Sequence, residues 1–186
     1  FAHSGQQVIW PFKLERAVHD LRTSRREALP NERYVDRSMD LSGYNELTLI
    51  EREDFSDDLA VFHLRADEPV EFTPGQYATL GLINNDTDRP LLRPYSVASA
   101  PGSTDLEFFI ERVDEGDLTP RLWNLDPGAD IWMREKLVGR FVLDTERHHH
   151  VMAATVTGVA PYVSIARAQL EALETGALDE PHRFLV

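Results

Sequence analysis

The stretch "RPYSVAS" (residues 93–99) decides how the rest of the sequence is interpreted. Its apolar and polar residues alternate as in a β-strand, yet Pro94 removes a backbone donor near the start of that strand. Arg93 can hold a diphosphate through two parallel charge-assisted hydrogen bonds. Tyr95 offers a flat face for a planar ring, and Ser96 offers a hydroxyl beside it. The stretch therefore predicts a strand that binds an anionic ligand with a flat heterocycle.

A second candidate anion site follows about twenty residues further along the chain. The segment "GDLTP" (116–120) opens a short predicted helix, whose free amide groups and Thr119 hydroxyl can bind a phosphate. Each pattern is weak alone, because a tyrosine in a strand is usually packing and "GDLT" is a common helix start. Their order and spacing, with "TVTGVAP" (155–161) about 40 residues later, favour a dinucleotide with a flat heterocycle.

Between residues 44 and 135 the sequence is divided into short strand-like runs separated by turn clusters. The runs are "NELTLIERE", "LAVFHLRA", "QYATLGLI", "RPYSVASA", "LEFFIERV" and "ADIWMRE". The only helical interruption is "LTPRLWNL" (118–125), after the fifth run. Six closely spaced strands without long intervening helices predict a six-stranded antiparallel barrel of about 100 residues.

After Asp144 the pattern changes to that of an α/β unit. "HHVMAATV" (149–156) is typical of a buried strand, and "TGVAP" (157–161) of a tight turn. A helical stripe follows, with Gly176 at the expected C-cap, and "HRFLV" (182–186) begins another strand. Strand, turn, helix and strand in this order predict the first β-α-β unit of a parallel sheet.

The first 40 residues differ from the rest of the chain. "FKLERAVHDLRTSRREAL" (12–29) has a thin apolar helical stripe, Pro30 ends it, and a polar linker follows over residues 31–40. We interpret this part as an extension that packs on the main body, rather than as a membrane-binding or partner-binding helix. The predicted domains are residues 1–40, 41–145 and 146–186.

Composition and charge narrow the classes of function. The chain has no cysteine, which excludes disulfides and cysteine-ligated iron–sulfur clusters within it and suits a reducing, cytoplasmic location. The net charge is −13, and residues 41–186 carry 26 acidic against 12 basic side chains. Such an acidic body repels nucleic acid and anionic lipid. No apolar run approaches the roughly 20 residues that span a bilayer, so we expect neither nucleic-acid binding nor membrane insertion.

Together the motifs resemble those of the ferredoxin–NADP reductase family, especially its bacterial branch, from residue 44 onward. The family signatures Arg-x-Tyr-Ser, Gly-x-x-Ser/Thr and a Gly-Thr-Gly-Ile-Ala-Pro-like turn stand here as "RPYS", "GDLT" and "TVTGVAPY". The resemblance implies an FAD-binding barrel followed by the start of a Rossmann-like NAD(P)-binding domain. It also implies electron transfer between NAD(P)H and a one-electron carrier such as ferredoxin or flavodoxin.

The resemblance assigns roles to the residues of the first motif and of the next strand. Arg93, followed by Pro94, would hold the FAD diphosphate. Tyr95 would stack on the isoalloxazine ring, and Ser96 would form a hydrogen bond near its N5. Ile110 falls where the family lines the cofactor from the neighbouring strand.

The resemblance also assigns roles to the second and third motifs. Gly116 would permit a turn whose following residues meet the diphosphate, namely Asp117, Leu118 and Thr119. Thr157 would lie where nicotinamide and flavin meet, as the third catalytic position beside Tyr95 and Ser96. The dinucleotide turn would be shaped by Gly158, Ala160 and Pro161. Val156 replaces the first glycine of this turn, and a β-branched residue does not easily take a positive φ.

Several alternatives stay open at this stage. The same motifs suit the reductase component of an oxygenase, a free-flavin reductase, or a flavin-holding electron-transfer subunit of a larger complex. In this family the side chains that separate NADP from NAD follow the second strand of the nucleotide domain, where the chain stops. The surfaces for adenosine and most of the diphosphate would also lie beyond Val186, so we expect the barrel to fold and the chain to bind a nicotinamide dinucleotide weakly or not at all. The histidines 148–150 predict no metal site, because adjacent side chains of a strand point to opposite faces.

Overall fold

The structure is a computed structural model that describes residues 41–83 and 90–185. The helix and linker predicted for residues 1–40 lie outside the described residues, as does Val186.

Six antiparallel strands form one curled sheet. The strands are β1 (Tyr44–Ser56), β2 (Leu59–Val70), β3 (Tyr77–Leu82), β4 (Leu91–Ser96), β5 (Ser103–Glu111) and β6 (Asp130–Arg134). Hydrogen bonds connect them in the order β4-β3-β6-β1-β2-β5. An antiparallel bridge between Val97 and Phe108 brings the two ends of this order together just beyond β4. The predicted six-stranded antiparallel barrel is therefore confirmed.

The barrel interior holds the main hydrophobic core. Alternate side chains of each long strand face inward, as the two-residue period of a strand requires. Phe62 and Leu64 on β2 are almost fully buried in this way. Leu118 and Leu122, around the short helix α1 (Thr119–Trp123), pack into the same core. Each large apolar side chain buried here contributes about 1.5–3 kcal/mol to stability, so the core is the main source of stability for the barrel.

A β-α-β unit follows the barrel. Strands β7 (His149–Val151) and β8 (Arg183–Leu185) pair in parallel, and helix α2 (Ala160–Glu174) lies between them in the chain. This confirms the predicted order of strand, turn, helix and strand. The prediction of a buried strand over residues 149–156 is wrong in two respects, because β7 covers only His149–Val151 and its Val151 is 78% exposed. The backbone leaves the sheet beyond Val151 and enters a 3-10 turn over Val156–Val159.

The end of α2 follows the prediction closely. Thr175 is the C-cap residue, and Gly176 takes a φ of 72°, in the left-handed region that glycine tolerates best. Within the described ranges, no helix has both the length and the apolar character needed to cross a membrane.

Helix α2 packs against loops of the barrel through its first two turns. Gly75 has a φ of 96°, and a Cβ atom at this position would overlap the carbonyl oxygen of Phe141 and lie 3.3 Å from Ile165 Cδ1. The ring of Phe141 contacts that of Tyr162 edge to face, with centroids 5.2 Å apart. The absence of a side chain at Gly75 therefore allows the loop and the helix to approach each other.

Candidate functional site

Strand β4 presents the residues of the first motif. It is the terminal strand of the hydrogen-bond order, with β3 as its neighbour on one side. Pro94 lies opposite Thr79 of β3, and an end strand of this kind tolerates a residue without an N–H group. Tyr95 lies opposite Ala78 and Ser96 opposite Tyr77. The alternation of the strand places Tyr95 and Ser96 on opposite faces, so a ring that touches both must lie across the strand end.

Tyr95 has a distinctive electrostatic environment. Its ring is half-buried and packs against the hydrophobic core. Burial raises the pKa of the Tyr95 phenol to about 12, and the positive charge of Arg93 offsets part of this rise. The phenol is therefore neutral throughout the physiological range and offers an apolar face together with a hydroxyl donor.

Arg93 connects the two predicted anion sites. Its Nη2 lies 3.6 Å from Asp117 Oδ2, and its Nη1 donates a hydrogen bond of 2.8 Å to the carbonyl oxygen of Leu92. Both charged side chains are largely exposed, at 50% for Arg93 and 74% for Asp117. A guanidinium has five N–H donors, so donors remain for an incoming anion. The structure thus brings the first motif beside the segment 116–119.

The hydroxyl of Thr119 is occupied within its own loop, which differs from its expected contact with a phosphate. Its Oγ1 accepts a hydrogen bond from Val113 N at 2.9 Å and donates one to Val113 O at 3.2 Å. Gly116 N also donates to Val113 O, at 2.9 Å, and a Cβ atom on Gly116 would lie 3.0 Å from that oxygen. Thr119 and Gly116 therefore shape the loop, and the side chain of Leu118 lies in the core.

Backbone groups of the same loop remain available as donors. Among the residues that the structure describes, the N–H groups of Asp117, Leu118 and Thr119 have no hydrogen-bond acceptor. Unpaired N–H groups beside a guanidinium are the donor set that a phosphate or diphosphate needs. The arrangement around Arg93 and residues 117–119 therefore fits the diphosphate of FAD, with backbone amides in the role expected of the Thr119 hydroxyl.

Ile110 differs from its expected role. The alternation along β5 turns Leu106, Phe108 and Ile110 inward, and Ile110 is only 1% exposed. Its side chain belongs to the barrel core, so it does not line a surface site.

The third motif forms the turn between β7 and α2 and lies close to β5. Val156 has a φ of 47° and is the only described residue other than glycine with a positive φ. The valine thus keeps the backbone shape that a glycine would favour, at a cost of about 1–3 kcal/mol. Thr157 is half-buried and Gly158 is exposed. The helix begins with two buried residues, Ala160 and Pro161.

Arg167 is a feature of the site region that the sequence did not indicate. From helix α2, its Nη1 donates to the carbonyl oxygen of Ala98 at 3.1 Å and to Glu107 Oε2 at 2.7 Å. These partners are 69 and 60 residues away along the chain. Because both contacts are long-range, no local sequence pattern signals them.

The histidines gather more closely than expected. His148 stacks on His182 with ring centroids 5.4 Å apart, and His150 Nε2 lies 3.0 Å from His182 Nδ1. Two of the three consecutive histidines, His148 and His150, therefore contact a fourth, His182, which directly precedes β8. Within residues 41–83 and 90–185, no group of three histidine, cysteine or acidic side chains has an arrangement that could hold a metal ion.

Comparison with known proteins places this site in a family. The model of the oxidoreductase FAD-binding domain matches residues 46–154, more than half of the chain. The chain is 41% identical over 109 residues to the flavodoxin/ferredoxin–NADP reductase of Escherichia coli (strain K12), covering 57% of this chain and 43% of that protein. It is 34% identical over 115 residues to the enzyme of the same name from Rhodobacter capsulatus, covering 61% and 42% of the two chains.

A solved structure supports the same fold. A ferredoxin NADP+ reductase from Neisseria gonorrhoeae with bound FAD and NADP superposes with a TM-score of 0.64 at 21% identity, covering 77% of this chain and 68% of that chain. The chain spans less than half the length of the curated relatives quoted above. The match to the family model covers the barrel from residue 46 onward, both predicted anion-binding motifs and β7. The chain therefore belongs to the oxidoreductase FAD-binding domain family.

Proposed function

We propose that this chain is the flavin-binding part of an FAD-dependent oxidoreductase that moves electrons between NAD(P)H and a small one-electron carrier. The observation that carries the proposal is the guanidinium of Arg93 beside the unpaired N–H groups of residues 117–119. The half-buried ring of Tyr95 lies two residues further along the same strand. A diphosphate grip next to an aromatic face matches the two ends of a flavin dinucleotide.

Each residue of the site has a distinct task in this proposal. Arg93 and the amides of residues 117–119 would bind the diphosphate, and the neutral ring of Tyr95 would pack against the flavin. The hydroxyl of Ser96, at the end of β4, would form a hydrogen bond with the flavin edge. Bound FAD would supply an acceptor for a hydride that can release its electrons singly.

The turn before α2 would serve the nicotinamide. Thr157, Gly158 and the buried Ala160–Pro161 pair would shape a surface that holds the nicotinamide against the flavin, because hydride transfer needs the reacting atoms at near-contact distance. The relatives named flavodoxin/ferredoxin–NADP reductases support NADPH as the donor and ferredoxin or flavodoxin as the carrier.

The first test identifies the cofactor. We expect the purified or reconstituted protein to be yellow and to hold FAD rather than FMN, because both a guanidinium and backbone amides are placed to bind a diphosphate. Heat release of the cofactor followed by chromatography separates the two flavins. Recovery of FMN alone, or of no flavin after reconstitution with FAD, would contradict the proposal.

A variant at Arg93 tests how the cofactor is held. Arg93→Ala should lose about 1.5–3 kcal/mol of FAD binding, the typical contribution of a charged hydrogen bond, which corresponds to roughly a 10- to 150-fold weaker affinity. Arg65→Ala is the matched control, since Arg65 is also exposed and also paired with a carboxylate, Asp105, at 2.7 Å. Fluorescence titration of the apoprotein with FAD measures both. Equal affinities for the two variants would show that Arg93 does not hold the cofactor.

A further inference from the structure

Arg167 joins two parts of the chain that are distant in sequence. It lies on α2, in the β-α-β unit, and both of its hydrogen-bond acceptors belong to the barrel. The ion pair with Glu107 is partly shielded from water, with side-chain exposures of 25% for Arg167 and 28% for Glu107. For comparison, the side chains of Arg65 and Asp105 are 51% and 62% exposed. The Arg167 contact is therefore less screened by solvent than a typical surface pair.

The barrel partners of Arg167 lie directly behind the first motif. Ala98 follows the last residue of β4, Ser96, by two positions, and its N–H group donates to Glu107 O at 2.8 Å. Ser99 Oγ accepts a hydrogen bond from Glu107 N at 3.3 Å. Ala98 and Glu107 are thus already tied to each other, and Arg167 binds both from one nitrogen. Its guanidinium is fixed to the segment through which β4 crosses to β5.

The other side of the contact is the helix that follows the third motif. Ile165 is buried, and its Cδ1 would lie 3.3 Å from a Cβ atom on Gly75, so α2 touches the barrel at a second point two residues before Arg167. An α-helix rises about 1.5 Å per residue, which places Arg167 roughly 10 Å from Ala160 at the start of α2. Together with the contact of Tyr162 and Phe141 near the start of the helix, these contacts hold α2 to the barrel from Tyr162 to Arg167 and make it a support for the turn that carries Thr157.

We propose that Arg167 is a positioning residue, which fixes the turn carrying Thr157 relative to the strand end carrying Ser96. The proposal rests on the proposed function, since it concerns the two sides of the site where nicotinamide and flavin would meet. In this proposal Arg167 acts through its contacts with Ala98 and Glu107 and not through contact with either ring. Its effect on hydride transfer comes from the distance it sets, and a misplacement of about 1 Å can slow such a step by about 100-fold.

A distance measurement tests the contact without any turnover. The chain has no cysteine, so a spin label would attach only to a cysteine that is introduced. Two exposed positions suit this purpose, with Glu51→Cys on β1 and Glu174→Cys at the end of α2. Pulsed electron paramagnetic resonance then gives the distance distribution between the labels in the FAD-loaded protein. We expect Arg167→Gln to broaden or shift this distribution. The control Arg65→Gln, which removes an ion pair confined to the barrel, should leave it unchanged.

A kinetic measurement tests the consequence of the contact. Arg167→Gln should keep the FAD affinity within about twofold and keep reduction by dithionite unchanged, while anaerobic reduction by NADPH slows by about 10- to 100-fold. Arg167→Lys should recover part of the rate, because the ammonium keeps the charge but not the planar guanidinium. Arg65→Gln should match the wild type in all three measurements.

The outcomes separate this inference from the proposed function. An unchanged label distance in Arg167→Gln would overturn the inference, and so would a changed distance together with an unchanged rate of reduction by NADPH. If the wild-type protein bound no FAD, the proposed function would fail. The label distance would still decide whether Arg167 fixes α2 to the barrel, and a distance unaffected by Arg167→Gln would reject that contact as well.

Discussion

At the scale of single residues, the phenol of Tyr95 has a higher pKa in the folded protein than in the unfolded chain. Its pKa of about 12 in the folded protein exceeds the ordinary tyrosine value of about 10, mainly because of burial. The folded state therefore holds this proton more tightly than the unfolded state. The resulting stabilisation is complete below roughly pH 10 and is lost as the pH rises from roughly 10 to 12.

The variant Tyr95→Phe should therefore lose less stability in alkali than the wild type. Between roughly pH 9 and pH 11.5, the unfolding free energy of the wild type should fall further than that of Tyr95→Phe, by at most about 2 kcal/mol after allowance for solvent screening at the half-buried ring. Urea unfolding at the two pH values gives both free energies. Parallel losses in the two proteins would mean that Tyr95 ionises as an exposed tyrosine does.

Local sequence signals suggested some candidate site residues and missed others for a physical reason. The charge of Arg93 and the flat ring of Tyr95 are properties of the side chains themselves, so the sequence alone reveals them. The structure places Arg93 beside residues 116–119, as the two anion patterns suggested. The occupied hydroxyl of Thr119 depends instead on how its loop closes onto Val113. The partners of Arg167 depend on a contact across 60 residues or more, which no local pattern encodes.

At the scale of elements, the barrel strands were predictable and the short β-α-β strands were less so. Alternation over five or more residues is a local signal that survives packing, and each predicted barrel run overlaps one of the strands β1 to β6. In the run over residues 149–156, no local sequence signal marks Val151 as the end of the strand, although β7 ends there. Beyond β7 the backbone forms the turn around Val156, which has a positive φ. A positive φ is unfavourable for valine, so the residue type does not predict this turn.

The turn before α2 offers a direct test at this scale. Val156→Gly should raise the stability of the β-α-β unit by about 1 kcal/mol, since it removes a strain of about 1–3 kcal/mol and adds about 0.5–1 kcal/mol of glycine entropy cost. Val159→Gly is the matched control, because Val159 has a helical φ of −71° and should lose stability on the same change. Urea unfolding followed by far-ultraviolet circular dichroism compares them. A less stable Val156→Gly would show that the valine side chain contributes more than its backbone costs.

At the scale of the described molecule, residues 41–83 and 90–185 combine a well-buried barrel with a more exposed β-α-β unit. The barrel core is a continuous cluster, with Leu47, Phe62 and Phe108 fully buried. Strands β7 and β8 have three residues each, and Val151 and Leu185 within them are 78% and 68% exposed. Apolar burial is therefore concentrated in the barrel, and the β-α-β unit depends more on a few contacts such as the Arg167 pair.

This difference should appear as two levels of protection from hydrogen exchange. Local openings require less free energy where few apolar contacts must be broken, so amides of β7, β8 and α2 should exchange before those of β1, β2 and β5. Exchange followed by mass spectrometry of peptides covers both sets in one experiment. Arg167→Gln should speed exchange in α2 while leaving β1 and β2 at the wild-type rate, because the lost contact belongs to the junction and not to the core. Equal protection of the two sets would mean that the barrel and the β-α-β unit open as one cooperative body, with the Arg167 junction as strong as the core itself.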